Sequence, residues 1–225
     1  MPIDLTELLK GNELIRGRPV VLPIAALTME LQRGVMGDLA SFPQLADAAR
    51  EVGVADHAGQ ILATMRRLGL PVVHCTASFR RDRADTIVNT PLHSAVLRND
   101  AHLLEGSDAV ELIPELDLQV SDLIVDRHYG VSPFLGTALD ATLRHLGVRV
   151  LLVTGVSVNL GVLGLCIEAA NLGYQVVVAS DAVCGVPVDY GHQVLDQTIS
   201  LVATIATTGQ ICTAVEEAVA STDNV

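Results

Sequence analysis

Apolar residues along this chain fall into short, nearly unbroken runs separated by longer amphipathic stretches. The runs are Val20–Leu27, Pro71–Cys75, Leu123–Val125, Val150–Thr154 and Val176–Ser180. Continuous apolar runs of this length are the mark of strands covered on both faces, as in parallel sheets flanked by helices. Between the runs, Val54, Ala58, Ile61, Leu62, Met65 and Leu68 share one helical face, and Gly69 and Pro71 stop that helix. A second helical pattern runs from Thr137 to His145 and ends at Gly147. A third, Asn159 to Leu172, is apolar nearly all round, which predicts a buried helix. From about Tyr190 the pattern reads as one or two further helices.

Alternating strands and helices predict an α/β fold, a doubly wound three-layer α/β/α sandwich on a mostly parallel six-stranded sheet. At 225 residues, with no repeat or low-complexity linker, the whole of 1–225 reads as a single domain. The stretch Thr76 to Leu118 has no regular pattern, and irregular segments of that length usually serve function or contact partners. Doubly wound sheets bind ligands beyond the carboxyl ends of their strands. That directs attention to 28–34, 75–82, 126–134, 155–161 and 181–187.

Composition narrows the options. Half of the residues are apolar, but there is no Trp and only three Tyr and three Phe. Aromatic platforms for single-stranded nucleic acid are therefore excluded. A net charge of −12 also argues against nucleic acid, which needs a clustered positive surface. Residues 1–18 carry Asp4, Glu7 and Glu13 without an apolar segment, unlike a secretory leader, and no run approaches the ~20 residues of a membrane span. The expectation is a cytoplasmic protein without a membrane partner. Cys75, Cys166, Cys184 and Cys212 show no metal-binding spacing and read as free thiols.

Several segments, in order, resemble the isochorismatase-like, or cysteine hydrolase, family between about Val20 and Gly209. After the first run, Thr28-Met29-Glu30-Leu31-Gln32 is similar to the family's Asp-Met-Gln segment, with Glu30 at the Asp position. After the third, the segment from Arg127 and His128 through Ser132, Phe134, Thr137 and Leu139 is similar to Lys-x-x-x-Ser-x-Phe-x-x-Thr-x-Leu. After the fourth, Gly155-Val156-Ser157-Val158-Asn159-Leu160-Gly161-Val162 matches Gly-Val-x-x-Asn-x-Cys-Val. The resemblance implies a hydrolase, an oligomer of identical chains for which Thr76–Leu118 is the candidate contact segment, and a cis peptide near Val156–Val158.

Family members that cleave amides use Asp, Lys and a nucleophilic Cys. Here those positions hold Glu30, His128 (or Arg127 if the register slips by one) and Gly161. Glu30 extends one methylene further than Asp, which moves the carboxyl roughly 1 Å or more and alters catalytic geometry. Its bland reading is a loop carboxylate paired with Arg33 or Arg127. The lone lysine, Lys10, precedes the first strand, so any cation at the site is Arg127, His128 or an arginine of the 80–83 loop. Arg127 could equally pair with Asp126 or Asp122.

Gly161 excludes a thioester intermediate at that position. True isochorismatases carry Gly at the matching position and hydrolyse a vinyl ether through proton transfer from the Asp. Gly161 and Gly164 could also simply let a helix pack closely. The resulting expectation is a hydrolase of a small, anionic metabolite, with no thiol nucleophile and no cofactor. Glu30 is its acid or base and Arg127 or His128 its clamp. Gln32, Phe134, Ser157, Asn159 and Leu160 are the substrate-binding residues the resemblance implies. The family's metal-binding members carry Asp-x-His after the second strand, whereas this chain reads Thr76-Ala77-Ser78-Phe79-Arg80, so a metal is not expected. His74, inside the second run, reads as a core residue. The alternative to an enzyme is an inactive member acting as a ligand-binding or oligomeric scaffold protein.

Overall fold

The computed structural model describes residues 5–9 and 23–222. Val20, Val21 and Leu22, at the start of the first apolar run, lie outside the described residues, as do Lys10 and most of the acidic N-terminal segment. The elements in chain order are α1 (Leu5–Leu9), β1 (Ile24–Met29), α2 (Pro43–Val52), α3 (Val54–Arg67), β2 (Val72–Ala77) and α4 (Pro91–Val96). There follow β3 (Leu123–Arg127), α5 (Leu139–His145), β4 (Val150–Val156), a π-helical turn (Val158–Val162), α6 (Leu163–Asn171) and β5 (Gln175–Cys184). The chain closes with α7 (Val188–Gln197), β6 (Thr204–Ala206) and α8 (Thr208–Thr222).

The six strands form one sheet in the order β3-β2-β1-β4-β5-β6, every neighbouring pair parallel. Alternate residues of β1 divide the core. Ile24 and Ala26 face α2, α3 and α8, whereas Ala25, Leu27 and Met29 face α5, α6 and α7. β1, β2 and β4 are buried along their whole length, which is why their sequences are apolar at nearly every position rather than at every second one. On α3 the buried positions are Val54, Ala58, Ile61, Leu62 and Met65, the face the pattern predicts.

Every strand read from the pattern runs past its expected end: β1 to Met29, β2 to Ala77, β3 to Arg127 and β4 to Val156, two residues further in each case. β5 continues through Ser180 and Asp181 to Cys184, because a register shift against β4 between Val153 and Gly155 lets the ladder resume after the polar residues. The helical pattern from Asn159 begins as a π-turn and becomes α-helical at Leu163.

The chain order reverses between β1 and β4, the switch point at which such sheets bind ligands. There the two strands approach closely. A Cβ on Gly155, which has φ of +115°, would lie 2.2 Å from the Met29 carbonyl oxygen, so only glycine fits. Glu30 follows β1 and Ser157 follows β4, so both stand at this crevice.

Candidate active site

Glu30 leaves β1 with φ of +51°, a conformation L-residues rarely adopt. Its N–H donates to the Cys75 carbonyl at 2.9 Å, prolonging the ladder with β2 by one bond. The carboxylate is 16% exposed, and its Oε1 forms an ion pair with Nη2 of Arg127, itself 9% exposed. Arg127 is the last residue of β3, two strands away, so the pair arches over the end of β2. The guanidinium also points Nη1 at the Thr76 carbonyl (3.5 Å) and Nε at that of Gly130 (3.4 Å).

The alternation of an extended chain decides between the two candidate cations. With Arg127 turned to Glu30, His128 falls on the other side with Asp126. Its Nδ1 is 2.8 Å from Asp85 and its Nε2 3.4 Å from Asp126. The hydrogen bond to Asp85, against some desolvation, raises the His128 pKa above the ordinary histidine value. Asp126 accepts from Thr76 and Ser78, and Asp122 pairs with Arg66, so neither competes for Arg127.

Beside the pair lies a cavity of about 130 Å³. Glu30, Arg127, Ser157, Leu160 and Gly161 line it, whereas Gln32, Phe134, Asn159 and His128 do not. Gln32 is fully buried and ties β1 to β2: its Nε2 donates to the carbonyls of Ala77 and Val110, and its Oε1 accepts from Ala77 N–H. Phe134 packs on Tyr174 in the core, ring centroids 5.9 Å apart. Asn159 donates to the Val186 carbonyl at 3.0 Å. Gln32 and Phe134 are thus turned to neighbouring segments rather than to the cavity, whereas Asn159 engages its Nδ2 and keeps a buried Oδ1 without a hydrogen-bond partner.

The space beside Gly161 is not vacant. A Cβ there would lie 2.9 Å from Cε of Met29, a fully buried side chain. The position at which relatives carry a thiol thus borders a methyl group. Gly164, by contrast, serves close packing against Ser132. The cis peptide that the resemblance implies joins Val156 and Ser157. The N–H groups of Leu160 and Val162 donate to the Ser157 carbonyl, so two of the donors at this helix start are already engaged. None of the four cysteines lines the cavity. Cys75, Cys166 and Cys184 are buried, and burial pushes their thiols up to about 12, about 12 and about 11. Cys212 sits on α8, away from the cavity.

Sequence reasoning missed the outer wall. The 76–118 segment folds back over the strand ends and contributes Phe79, Leu92, His93, Val96, His102 and Leu103. Its irregular length was the only signal. His102 Nδ1 shares a hydrogen bond with Ser41 Oγ (2.8 Å), and burial, with Arg83 nearby, pushes its pKa down to about 4. His74 is indeed a core residue, held between Thr28 (2.8 Å) and Asp122 (3.4 Å). Among the described residues, no group of three His, Cys, Asp or Glu side chains could hold a metal ion. No described helix is long and apolar enough to cross a membrane.

The Isochorismatase domain model matches residues 25–210, so the chain belongs to the isochorismatase family and has the fold of its hydrolases. An uncharacterized isochorismatase family protein of Escherichia coli O157:H7, YecD, is 29% identical over 162 residues, covering 70% of this chain and 78% of YecD. Ureidoacrylate amidohydrolase RutB of Variovorax paradoxus is 36% identical over 80 residues, covering 36% of this chain and 31% of RutB. Among solved structures, an isochorismatase family protein of Burkholderia thailandensis superposes with a TM-score of 0.72 at 27% identity, covering 88% of this chain and 98% of that one. N-carbamoylsarcosine amidase from Thermoplasma acidophilum gives 0.63 at 25% identity, covering 82% and 96%.

Proposed function

We propose that this chain is a hydrolase that works without a covalent intermediate, with Glu30 as its acid–base group and Arg127 as the counter-charge that orients it. One observation carries the reading. Glu30 is held in a left-handed backbone conformation with its carboxylate at a small apolar cavity, beside a position that has no nucleophile. Such backbone strain usually persists where a side chain is needed. Paired with a guanidinium, Glu30 enters the reaction as a carboxylate, a proton acceptor. It takes a proton from a water molecule as the water oxygen bonds to the electrophilic carbon of the substrate. It returns that proton to the leaving group as the scissile bond breaks.

The cavity, about 130 Å³, resembles in size the ~150 Å³ void that admits benzene in an engineered core. It suits a substrate of a few heavy atoms with one polar, hydrolysable group. An anionic substrate is less well supported than the sequence suggested, since the positive charge of Arg127 is already matched by Glu30.

The test is a panel of small amides, imides, carbamoyl compounds, esters and enol ethers assayed with purified protein. Turnover of a panel member should survive iodoacetamide, and Glu30→Gln should lower it by roughly 10²–10⁴-fold. Full activity in Glu30→Gln would sink the proposal. So would a protein that turns over nothing yet is thermally stabilised by a panel compound, the behaviour of a binding protein.

A further inference from the structure

The α4 wall of the cavity contains one polar side chain that the chemistry above leaves unused. His93 is buried (5% exposed) and lines the cavity, and its Nε2 lies 3.2 Å from the carbonyl oxygen of Gly130. That carbonyl is also the one facing Nε of Arg127 at 3.4 Å. We infer that His93 is a positioning residue, through which the segment between β2 and β3 sets the orientation of the Glu30–Arg127 pair. This rests on reading that pair as the reacting one.

The Gly130 carbonyl fixes the ring's tautomer. A carbonyl oxygen can only accept, so Nε2 carries the proton and donates it. In the neutral ring Nδ1 then holds a lone pair, and Nδ1 is buried without a hydrogen-bond partner. A buried, unmatched nitrogen is unfavourable, and a Leu or Phe would close an apolar wall without it. The retained imidazole is accounted for by its other nitrogen, and the bond that nitrogen makes leads to the Gly130 carbonyl.

Arg127 depends on that carbonyl. Apart from Glu30, its described polar contacts are two main-chain oxygens, of Thr76 and Gly130. The Thr76 oxygen is fixed by the sheet, since Thr76 belongs to β2. Gly130 lies in the irregular loop after β3, at φ of +76°, where the sheet imposes nothing. His93 ties this loop to α4, whose first turn is itself capped by the Thr90 side chain accepting from His93 N–H at 3.1 Å. The helix start, the ring, the loop carbonyl and the guanidinium thus form one chain of contacts ending at the Glu30 carboxylate. A merely space-filling residue at 93 would leave the loop, and with it one of Arg127's anchors, free to shift.

Two substitutions separate this role from wall packing. His93→Gln can place an amide nitrogen where Nε2 stands, whereas His93→Phe keeps a ring and loses the donor. Heteronuclear NMR of the wild type should show the Nε2–H tautomer, and an Nδ1–H tautomer overturns the proposal. The Arg127 Nε–H signal, assigned with Arg127→Lys, should exchange with solvent about 10-fold faster in His93→Phe and at the wild-type rate in His93→Gln. For whichever panel substrate is turned over, kcat should fall about 10-fold in His93→Phe with KM changed less than about twofold, and recover in His93→Gln. If His93→Phe gives no dispersed spectrum, His93→Leu takes its place. Unchanged exchange in the donor-less variant, or a glutamine variant that behaves like it, overturns the proposal. The exchange measurement needs no turnover. Failure of the Glu30 mechanism would therefore appear in the Glu30→Gln assay, and failure of the His93 role in the Arg127 signal.

Discussion

Two carboxylate–arginine pairs stand near opposite ends of β3, and they are built differently. Before the strand, the Asp122 side chain is 1% exposed. It takes two contacts from Arg66, one from the Gln119 N–H at 3.0 Å and one from His74 at 3.4 Å, while Arg66 also donates to the Leu116 carbonyl at 3.0 Å. After the strand, Glu30 engages one guanidinium nitrogen through one oxygen, beside a cavity. The first pair has its hydrogen-bonding capacity filled by protein and belongs to the scaffold. The second leaves capacity facing open space, and that surplus is what a reaction requires. Charge and sequence separation alone would not have told them apart.

The contrast can be broken by substitution. Asp122→Ala leaves Arg66 unmatched and should cost about 3–5 kcal/mol in unfolding free energy, read from urea denaturation, with turnover per folded molecule unchanged. Glu30→Gln should do the reverse, keeping stability within about 1 kcal/mol while turnover collapses. Equal stability losses in the two variants would erase the distinction. Glu30→Asp sharpens it: withdrawing the carboxyl by one methylene should cost turnover on the order of 10²-fold, even though it restores the residue usual among relatives.

Acid provides the next test. Burial would raise the Asp122 carboxyl, but the hydrogen bonds from Arg66 and Gln119 N–H and the charge of Arg66 together hold it below the usual carboxylate range. Its stabilisation is present above the unfolded-state value and is lost only as pH falls through the lower folded-state one. His102 acts earlier. With its folded pKa pushed down to about 4, the unfolded chain takes up the proton first, so stability declines as pH falls from about 6.5 towards 4. That interval corresponds to about 3 kcal/mol when fully developed. The urea midpoint of His102→Gln should therefore fall less between about pH 7 and about pH 4.5 than that of the wild type.

The smallest effect is expected at His128. Its raised pKa means that the bond to Asp85 stabilises fully below about 6.5 and fades as pH rises through the folded-state value. Because the ring is more than a third exposed, His128→Ala should cost only a few tenths of a kcal/mol, more at about pH 6 than at about pH 8. Turnover should not change.

Much of the sheet was legible because strands covered on both faces must be apolar throughout. Less legible were β6, only Thr204–Ala206, and α2, neither of which appears among the runs read from the pattern. The motif segments located Glu30, but they left Arg127 and His128 unresolved until the strand's alternation separated them. Gln32 and Phe134 show the limit of motif transfer. A motif records which residue types recur, not whether a side chain turns to the ligand or to its neighbours. Of the cavity's outer wall, sequence offered only the length of an irregular segment, since His93 and His102 reach it through that segment's path.

The Met29 methyl beside Gly161 bears on how this chain could change over generations. A side chain placed at 161 would meet only the far end of a flexible thioether, which can turn aside at little cost. Shrinking residue 29 first would instead open a hole in the core with nothing gained. The easy route to a new group at this spot therefore runs through a turn of the Met29 chain, with the strand behind it left in place.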